Sequence, residues 1–252
     1  MKAGRYLKLP KGKEKKMRRI LLMVLQNIFH VPQAWLKLCR YAKHTEEIPE
    51  MTKWKHIQYI MHMAVTSGNV HLECYGQENI PTEDGFLMYG NHQGMFDIVA
   101  IGATCPNPMA AVLKKELEEV PFVKQVRLCT NSFCMDRENL RQSMTVINNV
   151  IKEINKGRNY LIFPEGTRSR KGNEMLEFHS GSFKCAVKTK CPIVPIALID
   201  SFKVLDEKGC KPVNVQIHYL KPIVWEEYQG MNTVELAALV RERIEAVVKE
   251  NS

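Results

Sequence analysis

The sequence predicts an α/β fold, a central mixed β-sheet with helices on both faces, preceded by an amphipathic two-helix element. Two observations carry the sheet. From residue 70 onward, short runs of strand length recur, and most are apolar throughout, as strands buried on both faces are. Stretches with apolar residues at three- and four-residue steps alternate with them, which is the order of an α/β domain. A third observation separates residues 1–68 from residues 69–252: before residue 70 the periodicity is helical only.

Taken in order, residues 18–67 read as two helices. The first spans residues 18–41, with a kink at Pro32, and carries Leu21, Leu22, Leu25, Ile28, Phe29, Trp35, Leu36 and Leu38. In the second, Trp54, Ile57, Ile60, Met61 and Ala64 recur at helical steps with Lys53, Lys55, Gln58 and His62 between them, and Ser67 and Gly68 close it. Val70–Tyr75 alternates as a half-buried strand, and residues 86–89 and 109–113 are short buried ones. Leu140, Met144, Ile147, Ile151 and Ile154 share one helical face that ends at Gly157, after which residues 160–163 form a strand. Ile193–Ile199 and Val213–Tyr219 are two more. The last helix opens near Asn232 with Glu235 three residues on, a capping pattern, and runs through Leu236, Val240, Ile244 and Val247.

The formal net charge of +9 is concentrated at one end. Residues 1–20 hold nine basic side chains against Glu14, whereas the other 232 residues carry 27 basic and 26 acidic groups. A near-neutral body argues against a nucleic-acid-binding face spread over the domain. The basic arm, beside helices whose apolar face carries Trp at its edge, suits the headgroup–acyl boundary of an anionic bilayer, where each Lys or Arg contributes about 1 kcal/mol. The competing reading packs both helices on the following domain and leaves the arm as a solvated tail. No stretch reaches the roughly 18 consecutive apolar residues of a spanning helix. The run after the arm is broken by Gln26, Asn27, His30 and Pro32 without a small-residue cleavage site, so export is not expected. Eight cysteines with no Cys-x-x-Cys pair, and no His at zinc-finger spacing, read as small buried side chains of a reduced protein, and no metal site is expected.

The chemistry concentrates in four segments. In Asn91-His92-Gln93-Gly94-Met95-Phe96-Asp97, His92 follows a buried strand and Asp97 opens an apolar helical run. Five positions apart on one helix, two side chains diverge by about 140°. They meet only if His92 precedes the helix and Asp97 reaches back from its first turn. The carboxylate would then hold one imidazole nitrogen in its N–H form and leave the other to take a proton from a hydroxyl. No nucleophilic Ser or Cys lies within the segment, so the substrate's own hydroxyl is expected to attack. In Phe163-Pro164-Glu165-Gly166-Thr167-Arg168-Ser169-Arg170, Pro164 stops a strand, Gly166 permits a tight turn, and the two arginines offer forks suited to phosphate oxygens. Strand ends of an α/β sheet are where ligands bind. The other two segments are Asn131-Ser132-Phe133-Cys134-Met135-Asp136-Arg137 and Val194-Pro195-Ile196-Ala197, the latter suited to sheet packing or to an acyl-binding wall.

These four segments, in this order, resemble the glycerolipid phosphate acyltransferase family, most closely its bacterial 1-acyl-glycerol-3-phosphate acyltransferases, over residues 70–225 or so. Asn91, His92 and Asp97 match the family's N-H-x-x-x-x-D; residues 163–169 match F-P-E-G-T-R-S in full; Val194 and Pro195 match its fourth motif. Lys114, Glu116, Leu117 and Pro121 match a K-x-E-L…P segment. The sequence departs at Asn131, where the family's second motif begins with Gly, at Cys134, where it has Phe, and at Lys124, where Gly follows the Pro by three.

The resemblance implies that His92 is the base and Asp97 its orienting partner. It implies that Arg137, Glu165 and Arg168 bind the acceptor's phosphate and glycerol, that Gly166 and Thr167 shape that loop, and that Lys114 lies near the thioester or phosphate. The implied reaction moves a fatty acyl group from acyl carrier protein or coenzyme A to the free hydroxyl of 1-acyl-glycerol-3-phosphate, giving phosphatidic acid, with no cofactor beyond the donor. The implied location is peripheral, at the cytoplasmic face of the cell membrane, with an anionic surface and a lysophospholipid as partners. The competing readings are a relative that acylates another acceptor, such as glycerol-3-phosphate or another lysolipid, and a non-catalytic peripheral membrane-binding protein.

Overall fold

The computed structural model describes residues 11–252, with side chains from residue 18 onward; the first part of the basic arm lies outside the described residues. Three helices come first, α1 (Lys11–Gln26), α2 (His30–Lys43) and α3 (Glu50–Ser67). The α/β body follows as β1 (Val70–Tyr75), β2 (Leu87–Gly90), α4 (Asp97–Thr104), β3 (Met109–Lys114), α5 (Pro121–Thr130), β4 (Phe133–Met135), α6 (Leu140–Ile154) and β5 (Asn159–Ile162). It ends with α7 (Lys184–Thr189), β6 (Ile193–Ile199), α8 (Phe202–Asp206), β7 (Val213–Tyr219), α9 (Trp225–Tyr228) and α10 (Thr233–Asn251).

The strands form one sheet in the order β1-β7-β6-β2-β5-β3-β4. All neighbours are parallel except β6 and β7, so the sheet is mixed as predicted. β2, β5 and β6 lie at its centre and are buried along their whole length, the reason they read as unbroken apolar runs. One face packs on α2, α3 and α4 through Leu38, Trp54, Ile57, Ala100 and Ile101. The other packs on α6 and α10 through Val150, Ile154, Leu236, Val240 and Ile244. Five of the eight cysteines are buried in these layers.

The N-terminal region differs from the sequence reading in two ways. The first helix is two helices, broken at residues 27–29 rather than at Pro32. Asn27 turns the chain, its carbonyl accepting from the N–H groups of His30 and Val31, each at 2.8 Å. Pro32 sits in the first turn of α2, where an absent N–H costs nothing because that donor would have no partner within the helix. The core also runs across residue 68: Trp54 is buried, donating Nε1–H to the Cys105 carbonyl at 3.2 Å, and shares one cluster with Phe86 and Met88. The apolar face of α3 is therefore core. Leu21, Leu25, Ile28, Phe29 (84% exposed) and Leu36 (68%) stay at the surface of α1, α2 and the turn between them. Arg19, counted with the basic arm, is buried and donates to the carbonyls of Gly68 (2.6 Å) and Lys211 (3.0 Å), so it clamps α1 to the body. Among the described residues, no helix is long and apolar enough to cross a membrane.

Candidate active site

β2 lies between β5 and β6, so the loop leaving its C-terminal end is flanked by the loops leaving theirs. Asn91 fixes the start of that loop: its side chain donates to the Leu198 carbonyl (2.9 Å) and accepts from the Leu198 N–H (2.8 Å). Asp97, the first residue of α4, is 0% exposed and reaches back from the helix start, where a carboxylate is favoured by the helix dipole. Its Oδ2 lies 2.7 Å from His92 Nδ1. The same carboxylate accepts from the N–H groups of Gln93 (2.7 Å) and Gly94 (3.0 Å) and from the Ser201 hydroxyl. Every one of these neighbours is a donor. Nδ1 therefore donates as well, and Nε2 is left as the acceptor of a neutral imidazole. Nε2 has no hydrogen-bond partner among the described residues, and the side chain is 19% exposed. The ring lies flat on Phe163, with centroids 4.3 Å apart and planes 18° from parallel. Gly94 makes the loop's close approach possible, since a Cβ there would lie 3.0 Å from the backbone of Phe202.

Glu165 comes from the loop after β5 and is also buried. One carboxylate oxygen accepts from the His92 N–H (2.8 Å), the other from the Leu176 N–H (3.0 Å), so both point into the protein. This carboxylate organises the backbone beneath the imidazole. Burial pushes its carboxyl up, the two N–H donors oppose that, and it settles at about 7. Between 4.5 and about 7 the folded chain holds a proton that the unfolded chain has released. The group's contribution to stability is thus greatest below that window, falls as pH rises through it and is level above it. Glu165→Gln lacks this slope and leaves one N–H without an acceptor. Its melting-temperature deficit against wild type is expected to narrow between about pH 5 and about pH 8, with kcat reduced and acceptor KM nearly unchanged. A constant deficit together with a raised KM would instead place Glu165 on the acceptor.

A cavity of about 470 Å³ adjoins the dyad through Phe163 and Glu165, which contact His92 and line it, while His92 and Asp97 themselves are not on its lining. Ile162, Phe163, Met135, Leu140, Met144 and Ile147 make its walls mainly apolar, and Arg137, Gly166 and Thr167 lie on its lining. The Arg137 guanidinium has neither a hydrogen bond nor an ion pair among the described residues. Gly166 has φ +68°, and a Cβ on it would meet the His179 ring at 2.9 Å, so the turn requires glycine. Arg168 lies outside the cavity lining, 3.9 Å from Asp206, on the loop whose Ser169 N–H donates to the His92 carbonyl (2.9 Å). Lys114, at the end of β3, is paired with Glu116 at 2.6 Å and does not line the cavity. The structure thus joins His92 to Asp97 and Glu165, groups Arg137 with residues 165–167 at the cavity, and sets Lys114 apart.

One of the departures has a physical equivalent. Asn131 closes α5 with φ +57°, a left-handed position that asparagine tolerates nearly as glycine does. Lys124 lies within α5 and pairs with Glu119 at 2.8 Å. Sequence reasoning missed Gln93 and Ser201, which contact Asp97, and the stacking role of Phe163. Gln93 and Phe163 lay within quoted motifs; Ser201 carried no local signal.

An imidazole with one unpartnered nitrogen, fixed by a buried carboxylate next to an apolar cavity, defines an α/β enzyme built to take a proton from a hydroxyl group. Residues 71–199 match the acyltransferase family. The 1-acyl-sn-glycerol-3-phosphate acyltransferase of Saccharomyces cerevisiae is 27% identical over 208 residues, covering 79% of this chain and 67% of that protein. The enzyme of the same name from Escherichia coli is 29% identical over 180 residues, covering 71% and 73%. The crystal structure of the 1-acyl-sn-glycerophosphate (LPA) acyltransferase PlsC from Thermotoga maritima shares the fold, with a TM-score of 0.73 at 22% identity over 94% of this chain and 98% of that one. The chain belongs to the acyltransferase family and is an O-acyltransferase.

Proposed function

We propose that the protein transfers a fatty acyl group from a thioester of acyl carrier protein or coenzyme A to the free hydroxyl of 1-acyl-glycerol-3-phosphate, giving phosphatidic acid. The observation that carries this is the unpartnered Nε2 of His92, held by Asp97 beside an apolar cavity with Arg137 on its lining. Nε2 takes the proton of the acceptor hydroxyl as its oxygen attacks the thioester carbonyl carbon. The tetrahedral oxyanion then collapses, the C–S bond breaks, and the imidazolium returns its proton to the departing thiolate. The thioester itself makes the transfer favourable, so the scheme calls for no further cofactor. The relatives named for this reaction support the choice of acceptor. The exposed apolar residues of α1 and α2, next to the basic arm, support attachment to an anionic membrane surface; the proposed location is peripheral, at the cytoplasmic face.

Profiling donors and acceptors with the purified protein in detergent tests the proposal, by following thiol release together with the lipid product. Arg137→Ala is expected to raise the KM for a phosphorylated acceptor by about tenfold to a hundredfold, the scale of one or two charge-assisted hydrogen bonds. Arg168→Ala is expected to raise it less, because that guanidinium already lies near Asp206. Acceptor KM values unchanged in both variants would move the phosphate elsewhere.

A further inference from the structure

Ser201 lies two residues past the end of β6, 1% exposed, with its hydroxyl against Asp97 Oδ1, the carboxylate oxygen not bonded to the imidazole. The position is built. Asp200 before it takes φ +64°, a left-handed conformation that costs a non-glycine residue about 1 kcal/mol or more. Asn173 holds that residue from both sides, accepting from the Asp200 N–H (3.0 Å) and donating to its carboxylate (3.1 Å). Gln93 donates to Asn173 Oδ1 (2.7 Å) and to the Leu198 carbonyl (2.9 Å), which turns its own oxygen toward the Ser201 N–H (3.0 Å). The Ser201 Oγ thus lies between two acceptors, Gln93 Oε1 at 3.1 Å and the closer, charged Asp97. Its single proton goes to the carboxylate.

We propose that Ser201 is a positioning residue that sets the basicity of His92 through Asp97. A hydroxyl donated to Oδ1 disperses the carboxylate's charge and fixes its plane, so Oδ2 meets Nδ1 squarely without over-stabilising the imidazolium. Without that donor the carboxylate favours the imidazolium more strongly, and His92 gives up its proton only at higher pH. The other charged groups around the dyad are Glu165 under the His92 N–H, with Arg241 of α10 near it, Arg168 and Asp206 beside Gly94, and the Asp200–Lys203 pair at 2.8 Å. All of these remain when the Ser201 hydroxyl is removed.

This assignment rests on the proposed role of His92 as base, and an imidazole NMR titration tests it without turnover, the His92 signal being identified by its loss in His92→Ala. In Ser201→Ala, kcat is expected to fall about tenfold with KM values held within about twofold. The acid limb of kcat/KM and the His92 titration are both expected to move to higher pH. Ser201→Cys, close in size with a weaker donor, is expected to fall between Ala and wild type, and it keeps the test intact if the alanine variant fails to fold. A His92 titration and acid limb at wild-type positions in both Ser201 variants would overturn the assignment. A shifted titration in a protein that consumes no acyl thioester would keep it and sink the proposed reaction instead.

Discussion

His92→Ala is expected to lower acyl transfer by about three orders of magnitude, within the range by which a positioned general base accelerates a reaction, while the melting temperature stays close to wild type. The activity loss follows from geometry. Nε2 is the one basic atom of the dyad left without a partner among the described residues, and nothing else in the loop can replace it. The modest stability effect follows from the same contacts. Removing the ring forfeits its stack on Phe163 and one hydrogen bond to Asp97, but the carboxylate keeps the Gln93 and Gly94 N–H groups and the Ser201 hydroxyl. Thiol release measured beside a thermal melt separates the two effects. A variant that transfers acyl groups at the wild-type rate would remove His92 from the chemistry.

Asp97→Ala is expected to cost both activity and fold. Its carboxylate is the partner of three donors besides the imidazole, all in the buried turn that carries His92. Leaving buried donors unsatisfied costs about 1–3 kcal/mol each, so roughly 3 kcal/mol or more in total is expected. For a chain of this size that lowers the melting temperature by about 6–12 °C. These extra donors are invisible in the motif and appear only in the folded turn. Asp97→Asn keeps the volume but places an amide NH2 among donors and no longer fixes the imidazole tautomer. Its activity is expected to fall nearly as far as that of His92→Ala, with a smaller drop in melting temperature than the alanine variant. An Asp97→Ala protein that melts at the wild-type temperature would mean that the turn is held by something else.

The central strands were legible because a strand buried on both faces must be apolar throughout, and β6 begins and ends at the predicted residues; so do β1 and β7 toward one edge, which are only partly buried. The start of α10 was legible because its cap is local: Asn232 Oδ1 accepts from the Val234 and Glu235 N–H groups, and Glu235 answers the Asn232 N–H. Other elements owe their form to distant partners. β4 is three residues long and is a strand only because it pairs with β3. The break at residues 27–29 carries neither Gly nor Pro, whereas Pro32, the conspicuous breaker, is harmless in a first helical turn. Among the site residues, His92 and Asp97 could be paired from sequence because one loop spans them. Glu165 and Ser201 arrive from strands on either side of β2, 73 and 104 positions from their partners. Only the order of the sheet tells that the first turns inward under His92 and that the second meets Asp97.

The central claim is that His92 activates the acceptor's own hydroxyl for direct attack on an acyl thioester. Pre-steady-state thiol release from the purified protein, with and without 1-acyl-glycerol-3-phosphate, tests it most directly. The predicted result is release that depends on acceptor, matches phosphatidic acid formed mole for mole, and disappears in His92→Ala. An equally fast burst of thiol without acceptor, or one that survives loss of the imidazole, would contradict it.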